Sequence, residues 1–346
     1  MMHLKRITLP AGFAALAISQ AAARPAAPVP VARNGEKPRN VIFILSDDHR
    51  YDFMGFTGAV PWLQTPALDR MAREGACLKN AFVTTSLSSP SRASILTGLF
   101  THTHTVVDNQ APKPDDLVFF PQYLQQNGYR TAFFGKWHMG NQDDMPQPGF
   151  DHWEGFRGQG TYYDTVLNIN GERVKFDPEL YSTDILTDHA IDFVRDNEEG
   201  PFFIYLSYKS VHSGFQPSPS RKGMYKDEKA VYPPSFNVPE YGIPRLPGKD
   251  ADGRPLAGRG WYGESRLPDW VKNQRESWHG VDYQYHGALP YEEDFRNYCE
   301  TVTSMDDAIG RLLDFLQAEG LDESTLVIYM GCLLYTSDAA DDRISV

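Results

Sequence analysis

The chain has 346 residues, 41% hydrophobic and 23% charged, and its 33 Lys and Arg against 45 Asp and Glu give a formal charge of −12. These values fit one large or two ordinary globular domains and exclude bulk disorder, a collagen-like fibre and a multi-span membrane protein. The acidic balance argues against wholesale nucleic-acid binding, so an anionic substrate needs a local basic pocket. The three cysteines are too few to build a disulfide scaffold at this length.

In chain order, Lys5 and Arg6, the apolar run Ile7 to Ser19 and Ala21-Ala22-Ala23 read as an export signal over residues 1–23. The apolar run is short for a bilayer span, and no cysteine marks a lipid anchor. Residues 24–39, rich in Pro and Ala, read as a linker. The expectation is a periplasmic or secreted protein handled by export machinery, with no membrane span once the signal is removed.

From Asn40 onward strands and helices alternate, which predicts an α/β fold with a largely parallel sheet flanked by helices. Asn40 to Ser46 is a continuous apolar strand. Thr65 is expected to cap a helix with Pro66 in its first turn and Gly75 beyond its end. Cys77 to Val83 reads as a strand, Phe120 to Asn127 as a short helix stopped by Gly128, and Arg130 to Phe134 as a strand. A helix runs from Ser182 to about Asn197, followed by the strand Phe202 to Ser207. Gly214 to Pro290 loses all periodicity and carries Trp261, Trp270 and Trp278, which could stack on sugar rings or pack in a core. Phe295, Tyr298, Val302, Met305, Ile309, Leu312 and Leu316 form the apolar stripe of a long helix closed by Gly320, and Thr325 to Met330 is a last buried strand.

Charged residues follow three of these strands. Asp47 and Asp48 come after the first, Lys136 and His138 after Arg130–Phe134, and Lys209 and His212 after Phe202–Ser207. Open α/β sheets bind ligands at the carboxyl ends of their strands, so these groups are expected on one rim. Adjacent carboxylates on a tight turn suit a hard divalent cation, although such pairs are commonly solvated turns. In Ser88-Ser89-Pro90-Ser91-Arg92-Ala93-Ser94-Ile95-Leu96-Thr97-Gly98, Pro90 fits a first helical turn and Gly98 its end. Ser88 then lies at a helix N-terminus, where an anion is favoured, and Arg92 lies one turn along on the same face. An Arg there can fork onto a tetrahedral oxyanion.

This segment resembles the signature Cys/Ser-x-Pro-Ser-Arg-x-x-x-Leu-Thr-Gly of the sulfatase family. Asn40–Asp48, Gly135-Lys136-Trp137-His138-Met139-Gly140 and Pro201–His212 resemble the same family in order and spacing, over about Asn40 to Gly331. The resemblance implies an alkaline-phosphatase-like fold and a sulfuric ester hydrolase. It implies oxidation of Ser88 to Cα-formylglycine, by a radical maturation enzyme acting before export. The hydrated aldehyde then attacks sulfur through one hydroxyl, and the other expels sulfate. Asp47, Asp48 and modified Ser88 resemble the Ca²⁺ ligands. Arg92 resembles the residue that holds the nucleophile. Lys136 and His138 resemble the pair contacting sulfate, and His212 the proton donor to the leaving oxygen. Lys209 is read as an exposed loop residue. Gly158–Tyr163 and Asn168–Gly171 resemble stretches of carbohydrate sulfatases, the nearest likeness being enzymes acting on N-acetylglucosamine 6-sulfate in mucin or glycosaminoglycan.

The chain departs from the family after its last strand, where a second acidic pair is expected and Cys332-Leu333 stands. The string Cys332 to Asp342 resembles the translation of a transposase adapter used in sequencing libraries. Residues 332–346 are therefore expected to be a non-native tail after an incomplete catalytic domain at 40–331, with the C-terminal part missing. The polypeptide is expected to bind Ca²⁺ poorly and to be inactive. Two other functions remain open: a phosphate or phosphonate ester hydrolase of the same superfamily, and a degenerate glycan-binding protein.

Overall fold

The computed structural model describes residues 38–140, 143–197, 200–232 and 291–333. Seven strands form one sheet: β1 (Asn40–Ser46), β2 (Arg130–Lys136), β3 (His152–Phe156), β4 (Val166–Ile169), β5 (Glu172–Lys175), β6 (Phe202–Ser207) and β7 (Thr325–Gly331). Their order is β5-β4-β3-β2-β6-β1-β7. The pairings from β3 across to β7 are parallel, whereas β4 and β5 add an antiparallel hairpin at one edge. The helices are α1 (Pro66–Glu74), α2 (Ser88–Thr97), α3 (Thr101–His104), α4 (Phe120–Gln126), α5 (Ser182–Arg195) and α6 (Tyr291–Ala318).

The central strands are apolar throughout because both faces of the sheet are covered. Ile42 and Ile44 point into a core shared with Leu186 and Ile191 of α5 and with Val302, Met305 and Ile309 of α6. Phe43 and Leu45, on the opposite face, pack with Ala93 and Leu96 of α2, Phe119 and Phe133. The whole apolar stripe expected on α6, from Phe295 to Leu316, is buried.

Three expected features take another form. β7 is a strand but not a buried one: it ends the strand order of the described sheet, with Leu326 and Ile328 exposed. Cys77–Val83 is not a strand: it lies outside the sheet, with Cys77, Leu78 and Phe82 exposed. An extended segment without a ladder partner has nothing to hold it as a strand, and this one feeds directly into α2. Thr65 is the N-cap residue of α1, and its carbonyl accepts from Asp69 N at 2.8 Å, but its side chain does not cap the helix. Its hydroxyl donates to Asp69 Oδ1 at 2.9 Å and accepts from Gly55 N at 2.7 Å. The free N–H groups of Ala67 and Leu68 go instead to Asp306 of α6, at 2.9 and 2.8 Å.

Strands β3 to β5 have no counterpart in the sequence reading. They are short, and β5 is exposed along its length. The Asn170-Gly171 turn between β4 and β5, with φ of 50° and 102°, is the usual two-residue hairpin signal. Residues 214–232 form turns only. Trp261, Trp270 and Trp278, the export signal and most of the linker lie outside the described residues. No helix among the described residues is long and apolar enough to cross a membrane.

Candidate active site

The carboxyl ends of β1, β2 and β6 and the N-terminus of α2 meet on one rim of the sheet. Asp47 is its centre and is fully buried. Its Oδ1 accepts from Arg92 Nη2 at 3.1 Å, and its Oδ2 accepts from Lys136 Nζ. Arg92 also donates through Nη1 to the Lys136 carbonyl at 2.9 Å and to Ser207 Oγ at 2.6 Å. One guanidinium thus ties α2 to β1, β2 and β6. Burial works against the Asp47 charge, but Lys136 and Arg92 outweigh it and hold the carboxyl well below the usual carboxylate range.

Ser88 is the first residue of α2 and is buried; Leu87, before it, is extended. Its neighbour Ser89 donates from Oγ to the His138 carbonyl and from N to Asn109 Oδ1 at 3.0 Å, which fixes the helix start against the β2 end. His138 has φ of 52° and Asp48 φ of 57°. Left-handed backbone at non-glycine residues costs about 1 kcal/mol or more each, and it concentrates at functional sites. The His138 Nδ1 is buried without a partner among the described residues. Burial, then Lys136 and Arg92, drive its pKa down to about 2, so the ring is neutral.

His212 faces Asp48, with Nε2 3.5 Å from Oδ2. Its turn is strapped to β1, because Asp47 N donates to the Ser210 carbonyl at 2.8 Å and Val211 N to the Asp47 carbonyl at 2.6 Å. The structure therefore gathers Asp47, Asp48, Arg92, Lys136, His138 and His212 at this rim, and Ser88 begins the helix that Ser89 and Arg92 tie to it. Lys209 corrects the expectation of an exposed loop residue. Only 7% of it is exposed, and its ammonium lies 4.8 Å from the Tyr162 ring centroid. The turn that carries His212 folds inward onto Asp47 and takes Lys209 with it. Burial, then Lys136, lowers its pKa to about 8.

Three more residues belong to the pocket. Gln159 accepts from Lys136 Nζ, Ser207 joins Arg92 to β6, and Tyr162 donates to the His212 carbonyl at 2.6 Å. Gln159 and Tyr162 fall in the Gly158–Tyr163 stretch quoted for its family likeness, but no spacing rule connects them to Lys136 or His212.

Asp47, Asp48 and Cys332 have ligand atoms within 4.8 Å of one another. A Ca²⁺ ion takes about six to eight oxygen ligands. Here both Asp47 oxygens already bind cationic side chains, and the third donor is a sulfur. Burial, with Asp47 and Asp48 beside it, raises the Cys332 thiol well above its ordinary value, so it stays protonated and donates to Asp47 Oδ1 at 3.1 Å. The described residues do not fit a complete Ca²⁺ shell.

The doubly covered, largely parallel sheet, with charged groups gathered at the carboxyl ends of its strands, is the alkaline-phosphatase-like fold. The Sulfatase family profile matches residues 39–331. An N-acetylglucosamine-6-O-sulfatase of Bacteroides thetaiotaomicron is 32% identical over 330 residues, covering 85% of this chain and 57% of that protein. An extracellular sulfatase of Drosophila melanogaster is 25% identical over 311 residues, covering 85% of this chain and 25% of its own length. A solved structure of a protein in complex with its substrate D-glucosamine-2-N,6-O-disulfate superimposes with a TM-score of 0.66 at 29% identity, covering 88% of this chain and 67% of that one. The chain belongs to the sulfatase family. It spans little more than half the length of its bacterial relative.

Proposed function

We propose that this chain is the N-terminal catalytic part, over residues 40–331, of an exported sulfuric ester hydrolase that releases sulfate from a sulfated carbohydrate. The observation that carries this reading is the docking of the signature helix α2, which begins at Ser88, through Arg92 onto Asp47 and the Lys136 carbonyl. N-acetylglucosamine 6-sulfate is the substrate favoured by the bacterial relative, and the glucosamine 2-N,6-O-disulfate of the solved complex shares its 6-sulfated glucosamine ring.

Converted by a maturation enzyme to Cα-formylglycine, residue 88 would supply a hydrated aldehyde as nucleophile. The buried start of α2 suits that conversion product, since backbone N–H groups and the helix dipole favour developing negative charge there. Arg92 and Lys136 hold Asp47 ionised. Neutral His138 lines the pocket without adding charge. His212, oriented by Tyr162 and Asp48, is placed to give a proton to the leaving oxygen. The oxygen donors of Asp47, Asp48 and Ser88 are the part of a Ca²⁺ site that this polypeptide would provide, and we expect the 346-residue chain to be inactive.

The test is sulfate release from N-acetylglucosamine 6-sulfate, and from aryl sulfate against aryl phosphate, by the product of the parent gene. Mass spectrometry of the Ser88 peptide is run in parallel. Sulfate release with modified Ser88 supports the reading. Faster phosphate release points to the phosphoesterase alternative. Unmodified Ser88 with retained glycan binding points to a non-catalytic protein.

A further inference from the structure

Three cationic side chains are buried in the pocket, and two are committed to the protein. Arg92 spends its terminal nitrogens on Asp47, Ser207 and the Lys136 carbonyl. Lys136 spends Nζ on Asp47 and Gln159. Lys209 differs. Among the described residues it has no ion pair or hydrogen bond from Nζ, and its contact is the face of the Tyr162 ring at 4.8 Å. With the residue only 7% exposed, the ammonium keeps little of its hydration, and a ring face returns only part of what is lost. An unpaired cation of this kind is stable where an anion completes its shell.

The turn geometry aims it. His212 N donates to the Lys209 carbonyl at 2.9 Å, so the two side chains leave the same tight turn. Tyr162 serves both, with its ring under the ammonium and its hydroxyl donating to the His212 carbonyl at 2.6 Å. Tyr162 is buried and backed by Tyr181, whose ring lies parallel at 6.0 Å.

We propose that Lys209 is a substrate-contacting residue whose ammonium, seated on Tyr162, donates to an oxygen of the bound sulfate group on the His212 side. This rests on the sulfatase reading above.

The experiment is calorimetric titration of the whole 346-residue chain with inorganic sulfate, using wild type, Lys209→Met and Lys209→Arg, with a thermal melt of each. The expected result is a loss of affinity of roughly tenfold or more for Lys209→Met. Lys209→Arg should stay within about threefold, and all melting temperatures should be similar. Unchanged sulfate affinity in a folded Lys209→Met overturns the proposal. If that variant does not fold, wild-type chain is acylated with and without sulfate and the Lys209 peptide is quantified by mass spectrometry. Protection by sulfate supports the contact, and equal labelling overturns it. Wild type that binds no sulfate overturns it too. Sulfate release by the parent enzyme without Lys209 dependence sinks this inference alone. Lys209-dependent sulfate binding without ester hydrolysis sinks the catalytic reading and leaves the contact standing.

Discussion

Gly135 and the Ser207 carbonyl touch across β2 and β6, so closely that a Cβ on Gly135 would stand 1.8 Å from the oxygen. Gly135 has φ of 108°, a conformation that side chains rarely adopt. The contact lies directly before Lys136, and Ser207 Oγ bonds both Arg92 and the Lys136 carbonyl. Gly135→Ala should therefore cost about 3 kcal/mol or more and displace Lys136. Urea unfolding reads it; an unchanged midpoint would mean the two strands are farther apart than described.

Arg92 is expected to resist conservative exchange. Lysine cannot reach Asp47, Ser207 and the Lys136 carbonyl together, because it lacks the planar fork. Arg92→Lys should lose about 2–4 kcal/mol of stability. In the parent enzyme it should also lower kcat/KM for sulfate release. A variant with wild-type stability would show that the three-way bond is dispensable.

Asp306 of α6 does for α1 what Thr65 does not. Asp306→Ala should cost about 2–3 kcal/mol by orphaning two helix N–H groups, with Asp306→Asn losing less. Burial raises the Asp306 pKa from 3.8 to about 7. The folded state then binds more protons than the unfolded one between these values, so this residue makes stability fall as pH rises across that window. Melts of wild type and Asp306→Asn should show a shallower fall in the variant. Parallel curves would rule this out.

Glu154 of β3 accepts from His152 Nε2 at 2.8 Å and from His189 Nδ1 of α5 at 2.6 Å. The hydrogen bond to Glu154 is the main cause of a raised His189 pKa. Its folded value exceeds its unfolded 6.5, so its stabilisation is complete below 6.5 and is lost as pH rises through the folded value. His189→Gln should thus lower the melting temperature more at about pH 5.5 than at about pH 8.5. An equal drop at both would assign the residue a packing role only.

The metal donors make a further prediction. Ca²⁺ at about 1 mM should shift the melting temperature of the chain by less than about 1 °C. Cys332→Asp puts a third carboxylate beside Asp47 and Asp48, so it should destabilise the Ca²⁺-free chain and restore a Ca²⁺-dependent rise. A large shift in the unsubstituted chain would show that two carboxylates suffice.

Local chemistry made much of this protein legible in one dimension. The apolar runs Asn40–Ser46 and Phe202–Ser207, the stripe on α6 and the Ser88–Gly98 helix with its capping glycine each carry their own signal, because burial period and backbone preference act over a few residues. The rim residues were legible for the same reason, since strand ends and signature segments mark them. What the chain alone left open depends on contacts made far away. Cys77–Val83 has strand-like residues but no partner strand. Thr65 has capping chemistry but loses its place to Asp306, which is 241 positions away. Lys209 reads as a loop lysine until the turn strapped to Asp47 buries it on Tyr162. Ladder pairing, shared acceptors and desolvation are properties of neighbours in space, and only the tertiary structure supplies those neighbours.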